Sequence, residues 1–175
     1  MTCLLDIIKG GIVQMKKFVG TKVIEAEPMT RGEYAKLSGR NSILTEKGES
    51  EADKGYHVRY ADGYESWSPA DAFEEAYRGF EAMSFSHALE LLKKGYKLSR
   101  AGWNGKKQYI ELAAGISYTN NQGEVINAKH EAIGNQAIAF VGTSGVQIGW
   151  LASQADMLAD DWCVFDCAYC QFGKL

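Results

Sequence analysis

Apolar positions along this chain recur with two periods, and the switches between them predict its elements. Residues 16–29, KKFVGTKVIEAEPM, read as a strand that stops at Pro28, because proline brings no amide to a ladder. Thr30 and Glu33 follow with the spacing of a capping box, which predicts a short helix over TRGEY. Residues 38–55 are polar and dotted with glycine, and predict a loop. YHVRYADGYESW at 56–67 alternates about Asp62 and Gly63, a two-residue hairpin signal. Ser68 as N-cap and Pro69 in the first turn open a further helix, whose Ala70, Phe73, Ala76 and Tyr77 share one face.

A second unit begins at Met83. Ser84 precedes FSHALELLKKG, in which Phe85, Ala88, Leu89 and Leu92 recur at helical spacing and Gly95 supplies the stop. His87 in the first turn reads as a solvated or packed side chain. From residue 96 the period becomes that of strands: YKLSR, KQYIEL, a hairpin about Asn120 to Gly123, AIAFVG, VQIGWL and DWCVF. SQADMLAD interrupts them as a short helix, with Ser153 and Asp156 in a weaker form of the capping box. The expected class is α+β: a small strand, helix, hairpin, helix unit over 15–81, then an antiparallel sheet domain with one long and one short helix over 83–166. Residues 167–175 form a cysteine-containing tail.

Composition places the chain among ordinary folded domains. Its 175 residues are 46% hydrophobic and 23% charged, enough apolar content for a core. A formal net charge of −3 argues against a general binder of duplex nucleic acid, which needs a pronounced basic face. No apolar run approaches the roughly 20 residues of a membrane-spanning helix. The opening MTCLLDIIKGGIVQ lacks the basic n-region of a signal peptide. Lys9, Gly10 and Gly11 are encodable as AAA-GGA-GGN, a bacterial ribosome-binding sequence suitably spaced before Met15, so residues 1–14 read as a non-native leader to a protein beginning MKKFVG. Cys163, Cys167 and Cys170 supply only three soft ligands in C-x3-C-x2-C spacing, with Cys3 far away, so reduced thiols are expected rather than a zinc site.

No catalytic signature is present: the chain has no phosphate loop, no H-E-x-x-H and no G-x-S-x-G, and His57, His87 and His130 are scattered. Asp160 and Asp161, being adjacent, point in different directions and do not share a proton. What remains suits a nucleotide. Trp103, Trp150 and Trp162 offer flat faces for stacking, and Asn104 and Gln154 each pair a donor with an acceptor, as a purine edge requires. Gly102 and Gly105 allow close backbone approach, so that their amides could face a phosphate, and Arg100 could grip it through two parallel bonds. The same indoles also suit a packed core, and Ser153 with Asp156 also suits a cap alone.

SFSHALELLKKGYKLSRAGWNGKKQYIEL and WLASQADMLADDW closely resemble the second family of Thoeris anti-defence proteins, carried by bacterial viruses. The match runs through Arg100, Gly102, Trp103, Asn104, Gly105 and Lys106, then Trp150, Leu151, Ala152, Ser153, Gln154, Asp156, Met157, Leu158, Ala159, Asp161 and Trp162. The resemblance implies an oligomer, typically a tetramer, that works without cofactor in the cytoplasm of the infected host. It implies sequestration, not cleavage, of a cyclic ADP-ribose isomer or related cyclic nucleotide. The ligand residues would be Arg100, Trp103, Asn104, Gly105, Trp150, Ser153, Gln154 and Asp156. The alternatives are sequestration or cleavage of cyclic oligonucleotides, or a viral protein-interaction module. Ser99 departs from the family's alanine, and residues 113–149 lack its proline-rich hairpin, which bears on ligand identity. Residues 15–80 resemble a short viral module that often precedes this domain. Its Tyr64 and Trp67 suit either a second recognition surface or hairpin packing.

Overall fold

A computed structural model describes residues 17, 19–39, 49–104, 107–131 and 135–165. Its class is α+β, with antiparallel sheets throughout. The first unit comprises β1 (Glu25–Pro28), α1 (Arg31–Leu37), β2 (Gly55–Arg59), β3 (Glu65–Pro69) and α2 (Ala70–Ala76), with its strands in the order β1-β2-β3. The capping box forms as expected: Glu33 N–H donates to the Thr30 hydroxyl and Thr30 N–H to the Glu33 carboxylate. Three amides of the α1 opening and the residue before it, Met29, Arg31 and Gly32, donate to carbonyls of Gly55, Asp53 and Glu51. That seats the helix on the segment after residues 40–48, which lie outside the described residues.

Two local expectations are corrected. Ser68 does not cap α2, because β3 stays paired to β2 as far as Pro69 and holds Ser68 opposite Tyr56; Pro69 takes the N-cap position and gives no side-chain cap. The hairpin turn is longer than two residues. Tyr60 N–H donates to Tyr64, Gly63 N–H donates back to Tyr60, and Gly63 has φ +85°, which makes a three-residue loop closed by a left-handed glycine. Trp67 proves to be a packing residue, its indole donating to Met29 O at 2.9 Å and lying 4.4 Å from the Arg31 guanidinium. Tyr64 stays exposed.

The second unit contains α3 (Phe85–Lys93), β4 (Leu98–Arg100), β5 (Tyr109–Ala113), β6 (Tyr118–Thr119), β7 (Val125–Ile126), β8 (Ala137–Gly142), β9 (Gly145–Ile148), α4 (Gln154–Met157) and β10 (Trp162–Val164). Five strands form one antiparallel sheet in the order β10-β4-β5-β8-β9, which brings the last strand beside the first. β6 and β7 form a separate two-stranded hairpin, whose base is held by Asn127 and Asn135 bonding the carbonyls of Ala114, Ile116 and His130. Register sets one sheet face: Trp162 opposite Arg100, Val164 opposite Leu98, Leu98 opposite Ile110, Ile110 opposite Phe140. Against that face α3 turns Ala88, Leu91 and Leu92, completing a core with Met83 and Trp162. Gly95, at φ +92°, ends the helix where a β-carbon would be strained. Ser84 holds the N-cap position, but its hydroxyl bonds His87 Nδ1 at 2.8 Å instead of a backbone amide.

Cys163, expected as a free thiol, is instead disulfide-bonded and buried. Cys167, Cys170 and residues 1–14, which were expected to be a leader, lie outside the described residues. No helix among the described residues is long and apolar enough to cross a membrane.

The core of the second unit reaches back across residue 81. Phe80 packs edge-on against Tyr96 at 5.6 Å, its carbonyl accepts from Val164 N–H, and Val23 joins the same cluster. A chain begun at Met83 should therefore melt about 5 °C or more below one begun at Arg78, given the few kcal/mol that burying an aromatic ring contributes in a domain of this size. Scanning calorimetry of the two checks this, and equal melting temperatures would remove Phe80 from the core.

Candidate functional site

The segment after β4 and the segment before β10 meet at one ionic group. Arg100 ends β4 on the core-facing side of the sheet, and its guanidinium reaches two carboxylates: Nη1 donates to Asp156 Oδ1 at 2.8 Å and Nε to Asp161 Oδ1 at 2.7 Å. Asp156 is at the same time the N3 residue of the α4 capping box. Its Oδ2 accepts from the Ser153 amide and hydroxyl, at 3.1 and 2.7 Å, while Ser153 Oγ accepts from Asp156 N–H. The Trp103 indole N–H donates to Oδ1 at 3.1 Å. All four acceptor positions of the Asp156 carboxylate are thus filled by protein groups.

Electrostatics follow from those contacts. Partial burial alone would raise the Asp156 pKa, but the hydrogen bonds from Ser153, Arg100 and Trp103 outweigh it and bring the value to about 2. Burial likewise opposes ionisation of Asp161, and its bonds from Arg100 and Gly102 lower its pKa nonetheless. Arg100 is raised by the same two carboxylates against its own desolvation. The side chains of Arg100 and Asp156 are only 16% and 14% exposed, so this triad is shielded enough for each partner to depend on the others.

The indoles form an edge-to-face cluster. Trp103 lies 5.4 Å from Phe140, 6.0 Å from Trp150 and 5.5 Å from Trp162, at interplanar angles of 65° to 74°. Trp162 is fully buried and donates to Asp156 O, so of the three candidate faces this one belongs to the core. Trp103 and Trp150 are only half-buried, so part of each ring remains at the surface. Asn104, Ser153 and Gln154 are exposed beside them in sequence, on the two segments that Asp156 ties together.

The residues expected at the site therefore separate into two groups. Arg100, Asp156 and the Ser153 hydroxyl are engaged in holding the site together; Trp103, Trp150, Asn104 and Gln154 present surface. The Gly102 amide, expected to face a phosphate, donates to Asp161 Oδ2 at 2.7 Å instead. Gly102 is needed for close approach, since a β-carbon there would lie 2.8 Å from that oxygen. Gly105 lies outside the described residues. Two participants were missed at the sequence level, Asp161 and Phe140. Asp161 lies in the family-matched run at 150–162, the one signal that marked it; Phe140 carried no signal beyond its strand alternation. Ser99, the departure from the family pattern, donates to Gln108 O at 2.7 Å and so acquires a local role at the start of the next strand.

A family model described as the Thoeris anti-defense 2-like domain matches residues 83–165. Among curated proteins, Thoeris anti-defense 2 of Bacillus phage SP01 is 40% identical over 85 residues, which cover 46% of this chain and 91% of that protein. The matched span contains β4, α4, β10 and the whole ionic group.

The depressed Asp156 carboxyl makes acid stability a test of this geometry. A group whose folded pKa lies below its unfolded value stabilises above the unfolded pKa, here 3.8, and loses that contribution as pH falls toward about 2. Asp156→Asn should lower stability by on the order of 2 kcal/mol at neutral pH and flatten the loss between about pH 4 and 2. Urea titrations at stepped pH measure both; an acid limb identical to wild type would show the carboxylate is not so held.

Proposed function

The chain belongs to the Thoeris anti-defense 2-like family, and from that premise we propose that it is a viral protein that captures the cyclic ADP-ribose-type signal of a Thoeris defence and holds it chemically unaltered. The observation that carries this reading is the pairing of fixed indoles with exposed amides on two segments joined by one carboxylate. An adenine stacked on Trp103 or Trp150 gains about 1 to 3 kcal/mol, while Asn104 and Gln154 match donor and acceptor groups on its edge or on ribose hydroxyls. Nε and Nη1 of Arg100 are taken by the two carboxylates, so of the two parallel bonds expected to a phosphate only Nη2 has no partner among the described residues. The Ser153 hydroxyl, bonded twice to Asp156, keeps one accepting lone pair for the ligand, and Gly105 completes the proposed polar set.

Capture without cleavage fits the state of the acids. A general acid or base needs a pKa near the working pH and a free position toward the substrate. Asp156 has neither, because its pKa is about 2 and its oxygens are occupied. No cofactor is called for. A protein acting by mass action alone must bind tightly and outnumber its ligand, and enclosing the ligand is the direct route to tightness. Around α4 the chain exposes Leu151 at 88%, Leu158 at 81% and Met157 at 46%, an apolar rim beside Ser153 and Gln154. A second copy over that rim would bury it and cover the ligand, in line with a homo-oligomer, tetramer favoured, in the host cytoplasm.

Incubation with cyclic ADP-ribose isomers made from NAD by a TIR-domain protein, followed by heat denaturation and mass spectrometry, should return the isomers intact. Recovery of opened or hydrolysed product would make the protein an enzyme, and no retention of any isomer would end the sequestration reading. Trp103→Ala should weaken binding at least about fivefold by calorimetry, the lower end of one lost stack; an unchanged dissociation constant would remove Trp103 from the site.

A further inference from the structure

Residues 100–103 form a tight turn, in which Trp103 N–H donates to Arg100 O at 3.2 Å. The two amides inside it are not left to solvent. Ala101 N–H donates to the Asp161 carbonyl at 3.1 Å, and Gly102 N–H to the Asp161 carboxylate at 2.7 Å. The other carboxylate oxygen takes Arg100 Nε at 2.7 Å, at the entrance of the same turn. One residue therefore uses its main-chain oxygen and both side-chain oxygens on three consecutive residues of the loop. Asp161 can do so because β10 runs antiparallel to β4, with Trp162 opposite Arg100, so the residue before β10 falls beside the residues after β4.

We propose that Asp161 is a positioning residue of the ligand site: by clamping the Arg100–Trp103 turn it sets the direction in which the Trp103 ring and the Asn104 amide leave the sheet. This rests on the sequestration reading for its consequence in binding, but the clamp itself is a property of the apo protein. Asp161 touches no ligand in this account. Its effect passes through the turn, in the way a group behind a binding residue restricts the orientations that residue can take. The Trp103 indole is bonded separately to Asp156, so the turn that carries Trp103 and the Trp103 ring are held by different carboxylates. Asn104 makes no side-chain hydrogen bond among the described residues, and its position follows from the turn. The readout most sensitive to Asp161 is thus the part of the ligand read by Asn104.

Two variants disturb the clamp from opposite sides. Asp161→Asn keeps the shape but replaces one accepting oxygen with a donor, so that Gly102 or Arg100 loses its partner. Gly102→Ala keeps the carboxylate and forces it away, since the new β-carbon would stand 2.8 Å from Asp161 Oδ2. In the full-length protein without ligand, both should accelerate hydrogen exchange at the Gly102 and Trp103 amides while the α3 amides keep their protection. With the cyclic ADP-ribose isomers as probes, both should bind at least about tenfold more weakly, the effect typical of disturbing a group that orients a binding residue. A merely structural role would lower the melting temperature and exchange protection everywhere together. Wild-type affinity in both variants, or unaltered exchange at Gly102, would overturn the clamp. Failure of the unaltered protein to bind any probe would overturn the sequestration reading, and the exchange measurement then decides the clamp by itself.

Discussion

The second unit depends on a single guanidinium. Arg100 stands at the end of β4, opposite Trp162, on a sheet face otherwise given to Leu98, Ile110 and Phe140, and a charge in that position needs partners. Asp156 and Asp161 provide them from either side of the last turn before β10. Each carboxylate also holds a loop: Asp156 bonds the opening of α4 and the Trp103 indole, and Asp161 bonds the turn after β4. The ions are therefore inseparable from two loop conformations. Such a group adds little net stability over an apolar replacement, because desolvation offsets most of its attraction. Its effect is to leave the loops one arrangement, and those loops carry the candidate ligand residues.

How much of this was legible in the sequence differs by scale. Strands and helices were readable because their signals are local: the capping boxes at Thr30 and Ser153, the stop at Gly95 and the alternation through 109–113 each appear where expected. Ser68 misled, because a serine before proline and a helical pattern carries the same signal whether or not a neighbouring strand claims it first; here Tyr56 does. Arg100, Gly102 and Asp156 were expected to meet a ligand, and the structure engages each of them within the protein. Residue type announces a guanidinium or a flexible amide, but whether it faces a ligand or a carboxylate 61 positions away depends on strand order. That order, with the final strand beside the first of its sheet, is a long-range fact with no local trace.

The indoles show the same limit in aromatic form. Three tryptophans with similar neighbours in sequence occupy graded positions, from Trp162 wholly enclosed to Trp103 and Trp150 at the margin. The core expectation is met by Trp162, while Trp103 and Trp150 keep part of each ring at the surface of the same cluster. An edge-to-face arrangement explains how: Trp162 supplies the fixed interior against which Trp103 and Trp150 lean, so their rings stand still while part of each remains uncovered.

Rigidity of this kind bears on what a capturing protein must do. A ligand that is held and released unaltered yields no energy from reaction, so affinity has to come from contacts less the cost of ordering the groups that make them. A flexible tryptophan or asparagine would lose that freedom on binding; a ring braced by Phe140 and Trp162 and bonded through its nitrogen has already lost it during folding. The burden shifts to the stability of the fold, where Phe80 and Val23 from before the family-matched span contribute to the same core. The segment before the family-matched span and the site are linked in this way: packing and the Phe80 carbonyl at the Val164 end of β10 support the strand whose other end adjoins Asp161.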